Sequence, residues 1–537
     1  MAIDIRHVDV VVVGAGFAGM YFVYCARRQG LSLECFEAAP DVGGTWYWNA
    51  YPGARCDVES MEYSYDFDED LQQEWVWTEK YAAQPEILRY AQHVADRFGL
   101  RPHITFDTRV ESAVFDEAPG RWIVTTDHAG TVSAQFLVMA TGSLSSANMP
   151  DIEGLDSFDG QIVHTGRWPR SGVELAGKRV GVIGTGSSGI QTIPVVAEIA
   201  SHLTVFQRTA QFSIPARNTP LDPAVQAAVK ANYATFRRRN RRMFGALGSG
   251  HEKARFNVVD LDPDALRAEL ERWWERGGTF FLSGFLDVML NDESNRRVAD
   301  FVRGKIAEIV DDPQTAALLT PEGHIGCKRI VADTNYFATY NRANVTLVDV
   351  SERGRPISRI TPTGIKTGDQ LHELDVLIFA TGFDAMTGAL LRIDIRGRNG
   401  QRLADAWADG PTNYLGLAVP GFPNLFTITG PGSPSVLANV IIAAQQHVEW
   451  IMGAMAHMRE RGLDTIEAER SYADAWMADV NARAGKTVFR TCDSWYVGAN
   501  IPGKPRVFMP RPGFPSYVDE CDRIAANNYE GFTLRHV

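Results

Sequence analysis

The chain is poor in cysteine, short of positive charge and without a long uninterrupted apolar run, and each shortage removes a class of protein. Its 537 residues include six cysteines, at 25, 35, 56, 327, 492 and 521. They show no CxxC pair, no partnering histidine cluster and no metal-ligand spacing, so the expectation is reduced thiols, no disulfide framework and no metal. Basic side chains number 53 against 65 acidic ones, a formal charge of -12. That balance argues against nucleic acid or an anionic membrane as a partner. The first residues carry Asp4, Arg6 and Asp9 where an export signal would place a basic region and an apolar core, so none is expected. Residues 10–26 stop short of the ~18 that suggest a membrane span. Residues 410–448 lack charge altogether but hold five prolines, which would break a spanning helix; they are expected to form buried wall.

What is present is ordinary globular composition, 45% hydrophobic and 22% charged. At about 150 residues per domain the length suggests three or four folding units. Strand-turn-helix signals occur twice, near residues 10–28 and 179–199. Strands are expected at 121–126 and 131–139, closed by Ala140-Thr141-Gly142, and this pattern returns at 375–379 with Ala380-Thr381-Gly382. Between them, helical periodicity at 224–239, 264–276 and 297–310 marks an insertion. The run Arg237–Arg242 would suit a polyanion, but in an acidic protein it is expected to be a solvated helix face.

Gly14-Ala15-Gly16-Phe17-Ala18-Gly19 follows the apolar strand 10–13 and opens a helix. In that context the first glycine permits a tight turn, the second lets backbone N–H groups approach a pyrophosphate, and the third allows close helix packing. Glu37 stands 18 residues beyond Gly19, at the end of the next strand, where a carboxylate can accept ribose hydroxyls. Glu37 alone suits NAD as well as FAD. The second copy, Gly184-Thr185-Gly186-Ser187-Ser188-Gly189, is followed by a strand ending Gln207-Arg208-Thr209 with no acid. A guanidinium there would pair with a 2′-phosphate and favours NADP. Two such units in one chain imply electron transfer between two nucleotides, and FAD with NADPH is the obvious pair.

The segment from Phe158 to Pro169 reads F-x-G-x-x-x-H-x-x-x-W-P, and Gly44-Thr45-Trp46, Tyr51-Pro52-Gly53 and Asp57 read G-x-W-x-x-x-x-Y-P-G-x-x-x-D. Through these motifs the chain resembles the Baeyer–Villiger monooxygenases along essentially its whole length, nearest the subgroup acting on phenylacetone-like and steroid-like ketones. The resemblance implies tightly bound FAD, reduction by NADPH, and a flavin C4a-peroxide that converts a bulky, cyclic or aromatic ketone to an ester or lactone.

By the same resemblance Arg329 would be the catalytic arginine and Asp57 its orienting partner. Lys328 would join Arg208 at the 2′-phosphate, with Thr209 also in the cofactor-binding set. His164 would be a hinge strut rather than a base. Trp495 would sit on a mobile loop that folds over the nicotinamide cofactor. The FAD set would comprise Gly14, Gly16, Phe17, Ala18, Gly19, Glu37, Gly44, Thr45, Trp46, Tyr47, Asp57, Tyr63, Val110, Thr141 and Val440. The NADP set would add Gly184, Thr185, Gly186, Ser187, Ser188, Gly189, Gln191, Thr381 and Arg329 itself.

The expected architecture is α/β, two doubly wound Rossmann-like domains with a helical insertion: an FAD-binding part over 1–150, an NADP-binding part over 151–220, the insertion over 221–325, the rest of the NADP-binding domain over 326–383 and of the FAD-binding domain over 384–537. A cytoplasmic monomer or weak oligomer is expected, with ketone and oxygen as its small-molecule partners. A related flavin enzyme oxygenating amines or sulfides, and a flavin-binding redox sensor without turnover, are the competing functions.

Overall fold

The computed structural model describes residues 5–537; Asp4, read above as part of the N-terminal charge pattern, lies outside them. Two sheets organise the chain. In the first, Val10 to Val13 are consecutive β-branched residues, which suit a strand covered on both faces, and Arg6–Val13 pairs in parallel with Leu33–Phe36 and Thr131–Met139. Val110–Asp116 and Arg121–Thr126 extend this sheet as an antiparallel pair. The chain returns to it much later: Asp394–Arg396 pairs with Val110–Asp116, and Leu425–Thr427 with Thr131–Met139.

The second sheet is wholly parallel, in the order Val345–Asp349, His202–Gln207, Arg179–Ile183, Val376–Phe379, Gln161–His164. Both sheets are doubly wound, with helix Phe17–Arg28 following the first central strand and Ser187–Ile199 the second. Because Val376–Phe379 lies between strands formed more than 180 residues earlier, the intervening chain leaves this sheet and re-enters it. That stretch carries a run of helices, including Pro223–Ala231, Tyr233–Arg241, Pro263–Arg276 and Asp292–Ile309. The helix expected over 224–239 is two, divided at Asn232.

Two expectations are corrected. The arginine run is not a uniform solvated face: Arg237 is buried, stacking on Tyr233 and donating to the Glu62 carbonyl and Ser64 hydroxyl, and Arg241 pairs with Asp66. Positions 237 and 241 are one helical turn apart and share the inward stripe, while Arg238, Arg239 and Arg242 stay exposed. Nor are all six cysteines free thiols, because Cys327 and Cys492 form a disulfide with Cα atoms 6.1 Å apart. A 165-residue separation leaves no local spacing signal. Cys25, Cys35, Cys56 and Cys521 remain free.

Residues 414–433 are almost entirely buried, as their lack of charge suggested. Among the described residues no helix is long and apolar enough to cross a membrane, and no group of histidine, cysteine and acid side chains could hold a metal.

Candidate active site

Each glycine-rich turn joins the central strand of its sheet to a helix. Gly14 adopts φ 103° and Gly184 φ 108°, left-handed conformations that admit glycine far more readily than other residues, and each packs on the carbonyl of an alanine, Ala140 and Ala380 respectively. Those alanines open the Ala140-Thr141-Gly142 and Ala380-Thr381-Gly382 turns, so the small-residue echo in the sequence reflects one packing solution used twice. A Cβ on Gly19 would collide with the Gly14 carbonyl, and one on Gly189 with that of Gly184. Gly186 is different: a Cβ there would meet nothing within 4 Å, so its surface is open to a ligand.

The residues present fit two dinucleotides. Neither helix has a side-chain cap or an acid in its first turn, which leaves N-terminal amides and the positive dipole end available to a pyrophosphate. In the first unit Gly44 faces Gly16 so closely that a Cβ on Gly44 would lie 2.9 Å from the Gly16 Cα, and backbone alone lines that cradle. Glu37 is buried at the strand end and accepts the amides of Ala15 at 2.6 Å and Ala39 at 2.8 Å. Burial raises its pKa against the pull of those amides and of Arg109. The carboxylate is thus fixed in position, and its remaining lone pairs suit ribose hydroxyls.

Around this turn Phe17 packs edge-on to Tyr63, whose hydroxyl accepts the Trp46 indole N–H at 3.0 Å. Tyr47 lies beneath the Arg170 guanidinium, Thr45 is exposed at the start of its short helix, and Ala18 sits one residue into the long one. Val110 is buried next to Arg109, Thr141 accepts the Ser145 hydroxyl, and Val440 begins the helix Val440–Arg461.

In the second unit the Thr185 hydroxyl donates to the Thr209 carbonyl at 3.0 Å, holding the turn against the next strand end. Arg208 is exposed there and close enough to Lys328 to act on its charge. Burial lowers the Lys328 pKa, Arg208 lowers it further, and Asp493 opposes both. Ser187 and Ser188 occupy the open helix start. Gln191 ties the two units together, accepting the Tyr51 hydroxyl at 2.7 Å and donating to the Arg55 carbonyl at 3.0 Å.

Between the units three distant segments meet. Arg329 holds Asp57 through both carboxylate oxygens, Nε to Oδ2 at 2.6 Å and Nη2 to Oδ1 at 2.9 Å, while Nη1 donates to the Val436 carbonyl at 2.7 Å. Asp57 and Val436 thereby engage three of its five N–H donors, Tyr496 lies against the guanidinium, and 31% of the side chain stays accessible. Burial works against the guanidinium charge, but Asp57 more than offsets it and the pKa is raised. The arginine's own carbonyl is anchored by Gln211 at 2.8 Å.

His164 accepts the Gly166 amide at Nδ1 and faces the Thr381 hydroxyl, which itself donates to the Asn148 carbonyl. Burial pushes the imidazole down to about 4, so it is neutral near pH 7. Trp168 is buried beside the Trp48 carbonyl.

Sequence reasoning did not reveal two of the groups that meet Arg329. Val436 does so through a backbone carbonyl, which has no residue signature. Tyr496, next to Trp495, is buried against Arg329: burial raises its phenol pKa and the arginine pulls against that rise. Trp495 packs with Leu144, Met386, Val436 and Met509 as an apolar wall. At the far end of the loop Lys504 pairs with Asp384, and Asn500 donates to the Phe383 carbonyl. The Asn500–Lys504 contacts fall directly after the Thr381 turn.

Residues 7–219 match the flavin-binding monooxygenase-like family. A Baeyer-Villiger monooxygenase of Pseudooceanicola batsensis is 44% identical, covering 98% of this chain and 95% of its own. The phenazine N-monooxygenase PhzNO1 of Lysobacter antibioticus is 41% identical, with 99% and 98% covered. Among solved structures, an oxidized steroid monooxygenase bound to NADP superposes with a TM-score of 0.93 at 50% identity, covering 99% of this chain and 100% of that one.

Proposed function

The chain belongs to the flavin-dependent Baeyer–Villiger monooxygenases, enzymes that use FAD and NADPH to oxygenate ketones, and from that premise we propose that Arg329 and Asp57 are its catalytic pair. The single observation behind this assignment is the convergence of Asp57 and the Val436 carbonyl on Arg329, whose side chain stays 31% accessible. Bound there and reduced by NADPH, FAD would supply the two electrons by which dioxygen gives one oxygen atom to the substrate and the other to water. Arg329 meets the negative charge that develops on the substrate carbonyl; its guanidinium stays protonated throughout. Asp57 fixes the guanidinium in its plane and moderates its field. Trp495 and the apolar residues around it exclude water.

Glu37 and the first glycine turn hold the adenosine end of FAD; Arg208, Lys328 and Thr209 hold the 2′-phosphate of NADPH, and Trp495 covers it. The re-entry of both sheets supports a division at residues 150, 220, 325 and 383. The products are an ester or lactone, NADP and water. A bulky, cyclic or aromatic ketone is favoured by the apolar wall and by the similarity to a steroid monooxygenase. The reaction is placed in the cytoplasm, where NADPH is regenerated, and in a monomer or weak oligomer, since one chain supplies every group of the site.

Oxygenation of an aromatic ring nitrogen is a second activity, favoured by the similarity to a phenazine N-monooxygenase. The deciding experiment supplies NADPH and isotopically labelled dioxygen with a panel of keto steroids, aryl ketones, cyclic ketones and a phenazine. Ester or lactone carrying one labelled oxygen is expected. Only N-oxide, or only hydrogen peroxide, would overturn the ketone assignment. Arg329→Ala is expected to keep FAD and accept electrons from NADPH while ester formation falls about 100- to 1000-fold, the effect of losing one oxyanion donor.

A further inference from the structure

Cys327 immediately precedes Lys328 and Arg329, and Cys492 opens the loop that carries Asp493, Trp495 and Tyr496. Their disulfide therefore joins the segment holding the two cations to the segment covering them. On the loop side of this link Asp493 acts on Lys328, and Tyr496 lies buried against Arg329. Twelve residues along from Cys492, Lys504 pairs with Asp384 and donates to the Ala385 carbonyl. The loop is thus held at one end by a covalent bond and at the other by an ion pair. Only the first can be switched by electrons.

We propose that the Cys327–Cys492 disulfide is a redox-controlled fastening of the Trp495 loop. Oxidised, it keeps the loop closed on Lys328 and Arg329; reduced to two thiols, it releases that end. Opening takes two electrons and two protons from a dithiol, which itself becomes a disulfide. Closing returns two electrons and two protons to hydrogen peroxide: one thiol is oxidised to a sulfenic acid with release of water, and the second thiol displaces hydroxide, which leaves as water once protonated. Cys492 is partly accessible and Cys327 buried, so a reductant reaches the bond from the loop side. Cys35, Cys56 and Cys521 are buried, and burial raises the thiol pKa of each, which keeps them out of the exchange. Cys25 is half-buried and pushed up to about 11 by burial.

The assignment rests on Trp495 covering NADPH, and its test separates the two. The FAD-loaded protein is reduced with dithiothreitol, desalted, and compared with protein re-oxidised by stoichiometric hydrogen peroxide, and with Cys492→Ser. Intact mass counts the thiols, limited proteolysis reports release of residues 488–509, and NADPH oxidation without ketone gives KM. Reduction is expected to add the mass of two hydrogen atoms, speed cleavage in the loop and raise the KM for NADPH several-fold, with peroxide reversing all three. Cys492→Ser should match the reduced form and ignore peroxide. Free thiols at 327 and 492 that persist after peroxide, or equal loop cleavage in both states, would overturn the fastening. Faster cleavage with an unchanged KM would keep the fastening and remove Trp495 from the cofactor site. Neither result depends on whether a ketone is oxygenated.

Discussion

Arg329 shows how much of a half-buried cation's environment is made by groups that carry no motif. Its charge is stabilised by a bidentate carboxylate, while its direction is set equally by the Val436 carbonyl and by Gln211 holding its own backbone. Lysine would keep the charge but lose the two-pronged grip on Asp57. At the nucleotide end the argument is one of paired cations. Arg208 and Lys328 lie near enough to repel each other, a cost that a doubly negative phosphate would relieve. Arg208→Ala is accordingly expected to raise the KM for NADPH about 10- to 100-fold, the range for losing a charge-assisted hydrogen bond, and to leave the KM for NADH nearly unchanged. Steady-state assays with both nucleotides test this, and equal changes would remove the 2′-phosphate assignment. The placement of Arg208 and Glu37 was readable because each follows a strand at a fixed distance from a glycine turn. Tyr496 was not, because only the folded loop brings it to Arg329.

The two glycine turns are the same element built twice, and they distinguish packing from ligand contact. Gly189 abuts the Gly184 carbonyl, whereas Gly186 faces open space. Gly186→Ala is therefore expected to fold with parental thermal stability and full FAD content but bind NADPH about tenfold more weakly, since its methyl occupies the pyrophosphate approach. Gly189→Ala is expected to lower the melting temperature as well. Melting curves beside KM values check both; a melting loss in Gly186→Ala would show that the position is structural. Strand limits were legible from alternation and β-branched runs, as at 121–126 and 131–139. The helical insertion was legible in kind but not in detail. Its arginine run faces inward at 237 and 241 because Glu62, Ser64 and Asp66, from a segment 175 residues away, supply the partners.

Across the whole molecule, burial of ionisable groups links stability to pH. Burial pushes His164 to about 4 and His447 to about 3, from an ordinary 6.5. Between those values the unfolded chain binds protons that the folded chain does not, so stability rises with pH up to about 6.5. Glu62 has the opposite sign. Buried and accepting the Gly248 amide at both oxygens, it is pushed from 4.5 to about 7. The folded chain there retains a proton that the unfolded chain releases, and stability falls across that window. Glu62→Gln removes the second effect, so its melting temperature should gain on the parent between pH 5 and pH 8, by the equivalent of about 1–3 kcal/mol. Melting curves of the FAD-loaded proteins at four pH values measure this, and a pH-independent difference would refute it.

Local chemistry was enough to establish two dinucleotide units, because glycine turns, strand runs and strand-end charges depend on neighbours a few residues away. The charge balance and the uncharged wall at 410–448 were equally readable, being properties of composition. Tertiary structure alone decided the contacts of Arg329 with Val436 and Tyr496, the inward turn of Arg237, and the bond between Cys327 and Cys492. Each joins groups more than 100 residues apart, and no periodicity in a chain encodes a contact whose geometry exists only after two sheets have closed around it.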